Sequence, residues 1–510
     1  MEECLALGIR EYVVCSGARN LPLISMVMQS EDVVVWSHFE ERAAGFYALG
    51  RMMDSREPCA VITTSGTAVA ELLPAVIEAH YQGRPLVVIS ADRPKSFRGS
   101  GAPQAIQQAG LLGEYVEQCI DVDAKQDSYF RGWSKRFPWQ INVCLGEGIG
   151  EAQLEGSIGE WQVGREKLNV GDLVRFLEDT WRGIVVCLGG LEPEDRGEVW
   201  HFLKKLKVPV LADATSGLRE LLGNLVIADD SLMKKVKPGK VLRIGDVPVG
   251  RFWRDLESMP DVHVLSITRT GFSGLARESS VIHGSISRVI KGIGEAPEIG
   301  DVLDLLRSNN RRKSQTDELL ESYPDSEPSM VRMLSIYASM GESLYLGNSL
   351  PIREWGMFAS RDQPYEVVRA NRGANGIDGQ LATWAGWTHG IDDAWILLGD
   401  LTALYDLSSP TLLADCEAKG RVIAVMNNGG GRIFDRLPRV KDMPKPQQDV
   451  IANAHAFSFE SWAMMWGWDY QRVDSADELE IEAGDAPLLV ELVPCEKQTA
   501  AFWTAYDSLT

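Results

Sequence analysis

The chain has 510 residues, 45% hydrophobic and 24% charged, an ordinary globular composition with room for roughly two to four domains, which excludes disorder and collagen-like structure. Its 51 Lys and Arg against 72 Asp and Glu leave a formal charge of −21, so a nonspecific grip on nucleic acid or anionic lipid would have to overcome the chain's own field, and any anionic ligand must meet locally clustered arginines. No apolar run approaches the roughly 18 residues of a membrane span, and the opening MEECLALGIREY is acidic where a signal peptide is basic and then greasy, so the expectation is a cytoplasmic protein with no membrane span and no nucleic-acid partner.

Between residues 1 and 145, short β-branched runs alternate with helical patterns. Tyr12–Cys15, Val33–Trp36, Cys59–Thr64 and Leu86–Ser90 read as strands, while Glu40–Met53 and Thr67–Tyr81 carry apolar residues at three- and four-residue spacing, as crossover helices do. This is parallel α/β rhythm, and it puts the chemistry in loops at strand carboxyl ends. From about 146 to 170 the composition shifts to Gly and Glu, which reads as a surface linker. Gly146-Glu-Gly148-Ile-Gly150 within it hints at a dinucleotide loop, but its third glycine comes one residue early and no helix is evident behind it. A second α/β stretch follows, with Ile184–Cys187, Val208–Leu211, Lys240–Arg243 and Val262–Ser266 as strands. The polar residues 307–329, with two prolines, form the next boundary. A third unit runs to the C-terminus, strand-like at Ala394–Leu398, Val422–Val425 and Leu488–Val493. The expected partition is 1–150, 170–305 and 328–510, without short-period repeats. The eight cysteines, at 4, 15, 59, 119, 144, 187, 416 and 495, form no Cys-x-x-Cys pair, and the seven histidines show no His-x-x-x-His spacing. Buried thiols are expected rather than a disulfide framework or a zinc site.

Two pieces of the third unit stand out. Gly399-Asp400-Leu401-Thr402 follows one apolar run, and Asn427-Asn428-Gly429-Gly430-Gly431 follows the next. Each alone is common turn chemistry. Together, a carboxylate at Asp400, an amide oxygen at Asn428 and a backbone carbonyl in the glycine run are hard oxygen ligands suited to Mg²⁺, and the glycines allow close approach of a diphosphate. In the first unit, Glu40-Glu41-Arg42 sits where a strand passes into a helix; a glutamate there is usually a capping residue.

The Gly-Asp and Asn-Asn pieces, 28 residues apart from Asp400 to Asn428, resemble the cofactor-binding motif of thiamine-diphosphate-dependent enzymes. The resemblance implies α/β domains of that type, three doubly wound parallel sheets, with residues 1–150 binding the pyrimidine, 170–305 central, and 328–510 binding diphosphate and metal. It makes Glu41 the catalytic glutamate, because the family pattern reads acidic-Glu-Arg; a carboxyl there shares a proton with the aminopyrimidine ring. Within the family the chain is most similar, over nearly its whole length, to the decarboxylating synthases of menaquinone biosynthesis. The residues that carry this are Cys15-Ser-Gly-Ala-Arg19-Asn-Leu-Pro-Leu23, Thr63-Thr-Ser-Gly-Thr-Ala68, Ser90-Ala-Asp-Arg-Pro94, Gln104-Ala-Ile106, Gly347-Asn-Ser349, Asn371-Arg-Gly-Ala-Asn-Gly-Ile-Asp-Gly379, Gly399-Asp-Leu-Thr-Ala-Leu-Tyr-Asp406 and Asn428-Gly-Gly-Gly-Arg-Ile-Phe434.

That resemblance implies thiamine diphosphate with Mg²⁺ or Mn²⁺, metal ligands at Asp400, Asn428 and Gly430, and coenzyme contacts from Glu41, Ile377, Asp400, Leu401, Asn428, Gly430 and Gly431. Ile377 is implied as the apolar wedge beneath the coenzyme. The implied substrates, 2-oxoglutarate and isochorismate, are both dianions and call for guanidinium forks. Arg19, Arg93, Arg251, Arg353 and Arg372 are the candidates, with Gln104 and Ser349 adding neutral hydrogen bonds and Ile433, Phe434 and Leu437 walling the pocket. A homodimer or dimer of dimers is implied, with active sites between subunits. The chain departs from the family pattern at Ala18, where relatives carry a serine, and at Gly250, where they often carry lysine; its N-terminus starts part-way into the family's first helix. Alternatives are another thiamine-dependent 2-oxoacid decarboxylase or acetolactate-type synthase, or a non-catalytic metabolite-binding regulator. No flavin is expected in the central domain.

Overall fold

The computed structural model describes residues 2–124, 126–146, 170–178, 183–233, 238–300, 303–339, 343–365, 367–414 and 416–509. The expected linker, and with it Gly148 and Gly150 of the glycine loop, lies outside the described residues from 147 to 169. Three parallel sheets dominate the described chain. The first contains β1 (Glu11–Val14), β2 (Val34–Ser37), β3 (Cys59–Thr63), β4 (Leu86–Asp92), β5 (Cys119–Val122) and β6 (Trp139–Cys144), in the order β2-β1-β3-β4-β6-β5. The second contains β7 (Ile184–Leu188), β8 (Val210–Ala212), β9 (Lys240–Ile244), β10 (His263–Thr268) and β11 (Ser280–His283), ordered β11-β10-β9-β7-β8. The third contains β12 (Ser343–Leu346), β13 (Val367–Arg369), β14 (Ala394–Gly399), β15 (Val422–Met426), β16 (Asp469–Val473) and β17 (Leu488–Leu492), ordered β13-β12-β14-β15-β17-β16.

Counted within their own sheets, the strands of the first and third follow the same order, a duplication of topology that leaves no short-period repeat in the sequence. All three sheets are doubly wound: the chain leaves the first strand of each sheet in one direction and returns on its other side. The order therefore reverses between β1 and β3, between β7 and β9, and between β12 and β14, and the crevice outside the strand ends at such a point is where ligands bind. Central strands β3, β4, β7, β9, β15 and β17 are buried at every residue, and β7 and β15 accordingly read as continuous apolar runs rather than as alternation.

Chain contacts divide the molecule into two compact units: residues 1–165 with 371–390 and 405–417, and residues 166–370 with 391–404 and 418–510. Two segments of the C-terminal third thus belong with the first sheet. Their attachment is legible in the crossing of the helices Glu41–Ser55 and Gln380–Trp387. A Cβ on Gly50 would lie 2.1 Å from the Thr383 carbonyl oxygen, and one on Gly386 would lie 2.1 Å from that of Tyr47. Only glycine permits backbones this close.

The expected single helix Thr67–Tyr81 is two, Thr67–Glu71 and Leu73–Gln82. Pro74 has no N–H to continue the first helix and is tolerated in the first turn of the second. The polar boundary 307–329 is largely helical: Leu303–Ser322 covers its first part, and Ser326 caps the helix Glu327–Ala338 by accepting from the Ser329 N–H. Cys4, Cys15, Cys59 and Cys187 are buried, but Cys119, Cys144, Cys416 and Cys495 are only half-buried, and all eight are free thiols. Among the described residues no helix is long and apolar enough to cross a membrane.

Candidate functional site

In the second compact unit, the switch between β12 and β14 is built for a ligand. Gly347 directly follows β12, where a Cβ would stand 2.8 Å from the Leu397 carbonyl oxygen, and Ser349 comes next but one with φ at 75°, opening the helix Leu350–Phe358 that carries Arg353. Asp400 comes directly after β14 and is 2% exposed. One of its carboxylate oxygens accepts the Leu401 N–H at 2.6 Å and the other accepts the Gly430 N–H at 2.8 Å, so the Gly-Asp and Asn-Asn-Gly pieces are in direct contact. Burial raises its pKa, opposed by the Gly430 N–H and by His455, whose Nε2 stands 3.3 Å away.

Asn428 donates its amide N–H₂ to both carboxylate oxygens of Glu327, at 2.9 and 3.1 Å. Its Oδ1 is buried and has no hydrogen-bond partner among the described residues. A buried acceptor without a donor is costly, and it is the atom a hard cation would use. Gly430, at φ 127°, presents its backbone where a Cβ would lie 2.5 Å from the Ala452 carbonyl oxygen; its own carbonyl accepts the Arg432 N–H at 2.9 Å and keeps a second lone pair. Gly431 donates to the Ala452 carbonyl at 2.6 Å, and Leu401 is half-buried beside Asp400. A carboxylate, an unpaired amide oxygen and a backbone carbonyl within one glycine-lined crevice fit a divalent cation of the Mg²⁺ kind.

In the first unit, Glu40 rather than Glu41 takes the capping role, accepting the Arg42 and Ala43 N–H groups at 2.9 and 3.3 Å. Glu41, half-buried at the start of its helix, is thereby freed for chemistry. Burial raises its pKa; Glu40 and Glu71 add to this, while its own backbone N–H and the Thr63 hydroxyl oppose it. The same glutamate raises the pKa of the buried Cys15 thiol, behind the dominant effect of burial, so Glu41 faces the ends of β1 and β3. Around this switch point Arg19 donates to the Leu145 carbonyl at 3.1 Å, and Arg93 donates to the Pro103 carbonyl at 2.9 Å with its guanidinium over the Phe97 ring. Gln104 is exposed, with φ at 56°, and packs against Gly66; the buried amide is Gln108, which accepts the Gly66 N–H at 2.9 Å.

Arg372 and Ile377, both half-buried, occupy the loop before the helix Gln380–Trp387. Two buried acids hold that loop. Glu78 accepts the Gly373 and Ala374 N–H groups, each at 2.7 Å, and Asp406 accepts those of Gly379 and Leu381 at 2.8 and 2.7 Å. Arg42 reaches Asp406 at 3.5 Å and the Tyr405 carbonyl at 2.7 Å, tying the residue after Glu41 to the same support.

Other expected residues stand apart. Arg251 is 76% exposed and paired with Asp255 at 3.2 Å. Ile433 is half-buried, whereas Phe434 and Leu437 are exposed on the loop after Gly431. Reading the sequence missed Glu327, His455, Glu78 and Gln108. A Ser326-Glu327-Pro328 helix start was the available signal for the first, hidden inside what read as a boundary. One further cluster, Asp92, Asp121 and Cys144, has cation-like spacing, but Arg98 fills it, 2.8 Å from Asp92 and 2.7 Å from Asp121.

Residues 1–111 match the family described as thiamine pyrophosphate enzyme, N-terminal TPP binding domain. The chain is 45% identical, over 98% of its own length and 96% of the relative's, to a protein from Akkermansia muciniphila named 2-succinyl-5-enolpyruvyl-6-hydroxy-3-cyclohexene-1-carboxylate synthase. A protein of the same name from Bdellovibrio bacteriovorus is 38% identical over 100% of this chain and 98% of its own. Among solved structures, a candidate thiamin diphosphate-dependent enzyme from Mycobacterium smegmatis shares the fold, with a TM-score of 0.68 over 96% of this chain and 97% of that one at 15% identity.

Proposed function

The chain belongs to the family of thiamine-diphosphate-dependent 2-succinyl-5-enolpyruvyl-6-hydroxy-3-cyclohexene-1-carboxylate synthases, and from that premise we propose how its own residues divide the reaction. It is a carbon–carbon bond-forming transferase of menaquinone biosynthesis, joining the succinyl fragment of decarboxylated 2-oxoglutarate to isochorismate by conjugate addition with release of CO₂. When bound, thiamine diphosphate supplies the nucleophilic carbon and the electron sink that decarboxylation needs.

Glu41 holds the proton shared with the coenzyme's pyrimidine ring. Its burial favours the protonated carboxyl, the property such a group requires. Asp400, the Asn428 Oδ1 and the Gly430 carbonyl hold Mg²⁺ or Mn²⁺, while Leu401, Gly430 and Gly431 let the diphosphate approach the backbone. Ile377 supports the coenzyme from a loop fixed by Glu78 and Asp406. Arg19, Arg93, Arg353 and Arg372 orient substrate carboxylates, with Gln104 and Ser349 as neutral partners; Arg251 joins them by leaving its surface pair with Asp255. Ile433, Phe434 and Leu437 keep water from the reacting carbon. Residues 1–150, 170–305 and 328–510 act as pyrimidine-binding, central and diphosphate-binding domains of a cytoplasmic homodimer or dimer of dimers, Glu41 of one protomer serving the metal site of its partner.

The observation that carries this reading is the buried, partnerless Asn428 Oδ1 beside the Asp400–Gly430 contact, in a chain 45% identical to a synthase of that name. Incubation with 2-oxoglutarate, isochorismate, thiamine diphosphate and Mg²⁺ is expected to consume isochorismate and release one CO₂ per adduct. Free succinic semialdehyde as the sole product would point instead to a simple decarboxylase. Dilution far enough to dissociate the particle is expected to abolish turnover, and full activity in a proven monomer would remove the shared site.

A further inference from the structure

We infer that Glu327 is a positioning residue for the divalent cation, acting through Asn428 by fixing which end of that side-chain amide faces the ion. The inference rests on the assignment of Asn428 as a metal ligand and adds the device that makes it one. An asparagine amide is nearly symmetric in shape, yet its two ends are opposite in function: the oxygen can ligate a cation and the N–H₂ group repels it. Nothing in Asn428 itself selects the useful orientation. Glu327 does, because both of its carboxyl oxygens accept from the Asn428 Nδ2, at 2.9 and 3.1 Å. The amide nitrogen is committed to Glu327, and the oxygen is left buried and unpaired among the described residues.

Glu327 is itself held. It is 2% exposed and opens the helix Glu327–Ala338, its own N–H donates to the Thr499 hydroxyl at 3.0 Å, and the preceding Ser326 caps the helix and bonds the Ser329 hydroxyl at 2.9 Å. From the other side, Arg432 donates to the Asn428 backbone carbonyl at 3.0 Å, so the residue can turn only its side chain. The carboxylate comes from a helix 101 residues away in sequence, packed behind the strand-end loop that displays the ligand. Residues that orient metal ligands in this way typically change metal affinity by about 10- to 100-fold when removed.

The test measures binding of Mg²⁺ at fixed thiamine diphosphate, and of the coenzyme at fixed Mg²⁺, to the full-length apoprotein by calorimetry. Glu327→Ala is expected to weaken Mg²⁺ binding about 10- to 100-fold. Glu327→Gln keeps one accepting oxygen and is expected to stay close to wild type. Asn428→Asp sets two carboxylates against each other and is expected to bind poorly. The double variant Glu327→Gln/Asn428→Asp restores a donor-to-acceptor pair with the roles exchanged and is expected to recover affinity. Wild-type affinity in Glu327→Ala alongside weak binding in Asn428→Ala overturns the inference while sparing the metal assignment. Wild-type affinity in Asn428→Ala overturns both. Should Glu327→Ala fail to fold, the comparison of the double variant with Asn428→Asp decides, and no recovery counts against Glu327.

Discussion

Substituting alanine for Gly386 puts the helix crossing in the first compact unit under direct test. The added Cβ would lie 2.1 Å from the Tyr47 carbonyl oxygen and 3.1 Å from the Tyr47 Cα, so the obstruction is backbone and cannot rotate aside. Restoring an ordinary carbon–oxygen contact of about 3.3 Å requires the helices Gln380–Trp387 and Glu41–Ser55 to part by roughly 1.2 Å. Overpacking of this kind costs about 1–3 kcal/mol. The helix that moves begins with Glu41, and in the proposed role of that residue a displacement near 1 Å lowers the rate by about 100-fold. The expected result is therefore a lower melting temperature together with a kcat reduced by about two orders of magnitude at saturating coenzyme and substrates. Gly197→Ala is the reference, because Gly197 lies within the helix Pro193–Leu206 with nothing within 4 Å of a new Cβ. It is expected to stabilise the protein by about 0.5–1 kcal/mol, as alanine does over glycine in a helix interior, and to leave kcat unchanged. A Gly386→Ala protein with wild-type melting and turnover would refute the packing argument, as would a Gly197→Ala protein damaged to the same degree.

Glu41→Gln is expected to bind Mg²⁺ and thiamine diphosphate nearly as well as wild type while slowing deuterium exchange at the coenzyme C2 by about 10²- to 10⁴-fold; Asp400→Ala is expected to lose metal and coenzyme together. Unchanged C2 exchange in Glu41→Gln would take the proton-holding role from that residue. Asp406 gives a pH signature. Burial pushes its carboxyl up to about 6, with Arg42 and the Leu381 and Gly379 N–H groups opposing. A carboxyl raised in the folded state stabilises it when protonated, so its contribution is complete below about pH 4 and is lost as the pH rises through about 6, a change of roughly 3 kcal/mol. Relative to wild type, Asp406→Asn should therefore gain melting temperature between about pH 4 and 6.5 and run parallel above that, whatever constant offset the lost acceptor imposes. Parallel melting curves across that range would exclude a raised Asp406.

Many of the strands legible in the sequence are buried on both faces and read as apolar runs, such as Cys59–Thr63 and Val422–Met426, while the half-exposed edge strand Val34–Ser37 was legible through its valines. The unread ones include edge strands: Cys119–Val122, Ser280–His283 and Asp469–Val473 are half-exposed and carry Asp, His or Arg. A strand paired on one side only needs no apolar run to stay in place, so its sequence resembles a loop. Ser343–Leu346 is different, being fully buried yet four residues long, too short for periodicity to separate it from a helix fragment. The break at Leu72 was marked by Pro74, but the apolar spacing across it continues from one helix into the next and masks the turn.

The same physics explains which site residues could be read. Asp400, Asn428 and Glu41 sit in short strings that resemble a family motif, so the strings are recognisable when taken together. Glu327 supports the Asn428 string from 101 residues away and Glu78 supports the Asn371–Gly379 loop from 295 away, and in their own helices they look like ordinary polar positions. In the loop Asn371–Gly379 the adjacent N–H groups of Gly373 and Ala374 share one acceptor side chain, each donating to a Glu78 carboxyl oxygen at 2.7 Å. A carboxyl side chain can accept two N–H groups at once, and Glu78 does so while 2% exposed in a helix otherwise buried through alanine and valine. The two donors sit together in the sequence, but their acceptor does not; the fold decides which side chain it is, because only the fold brings the helix Leu73–Gln82 to the loop.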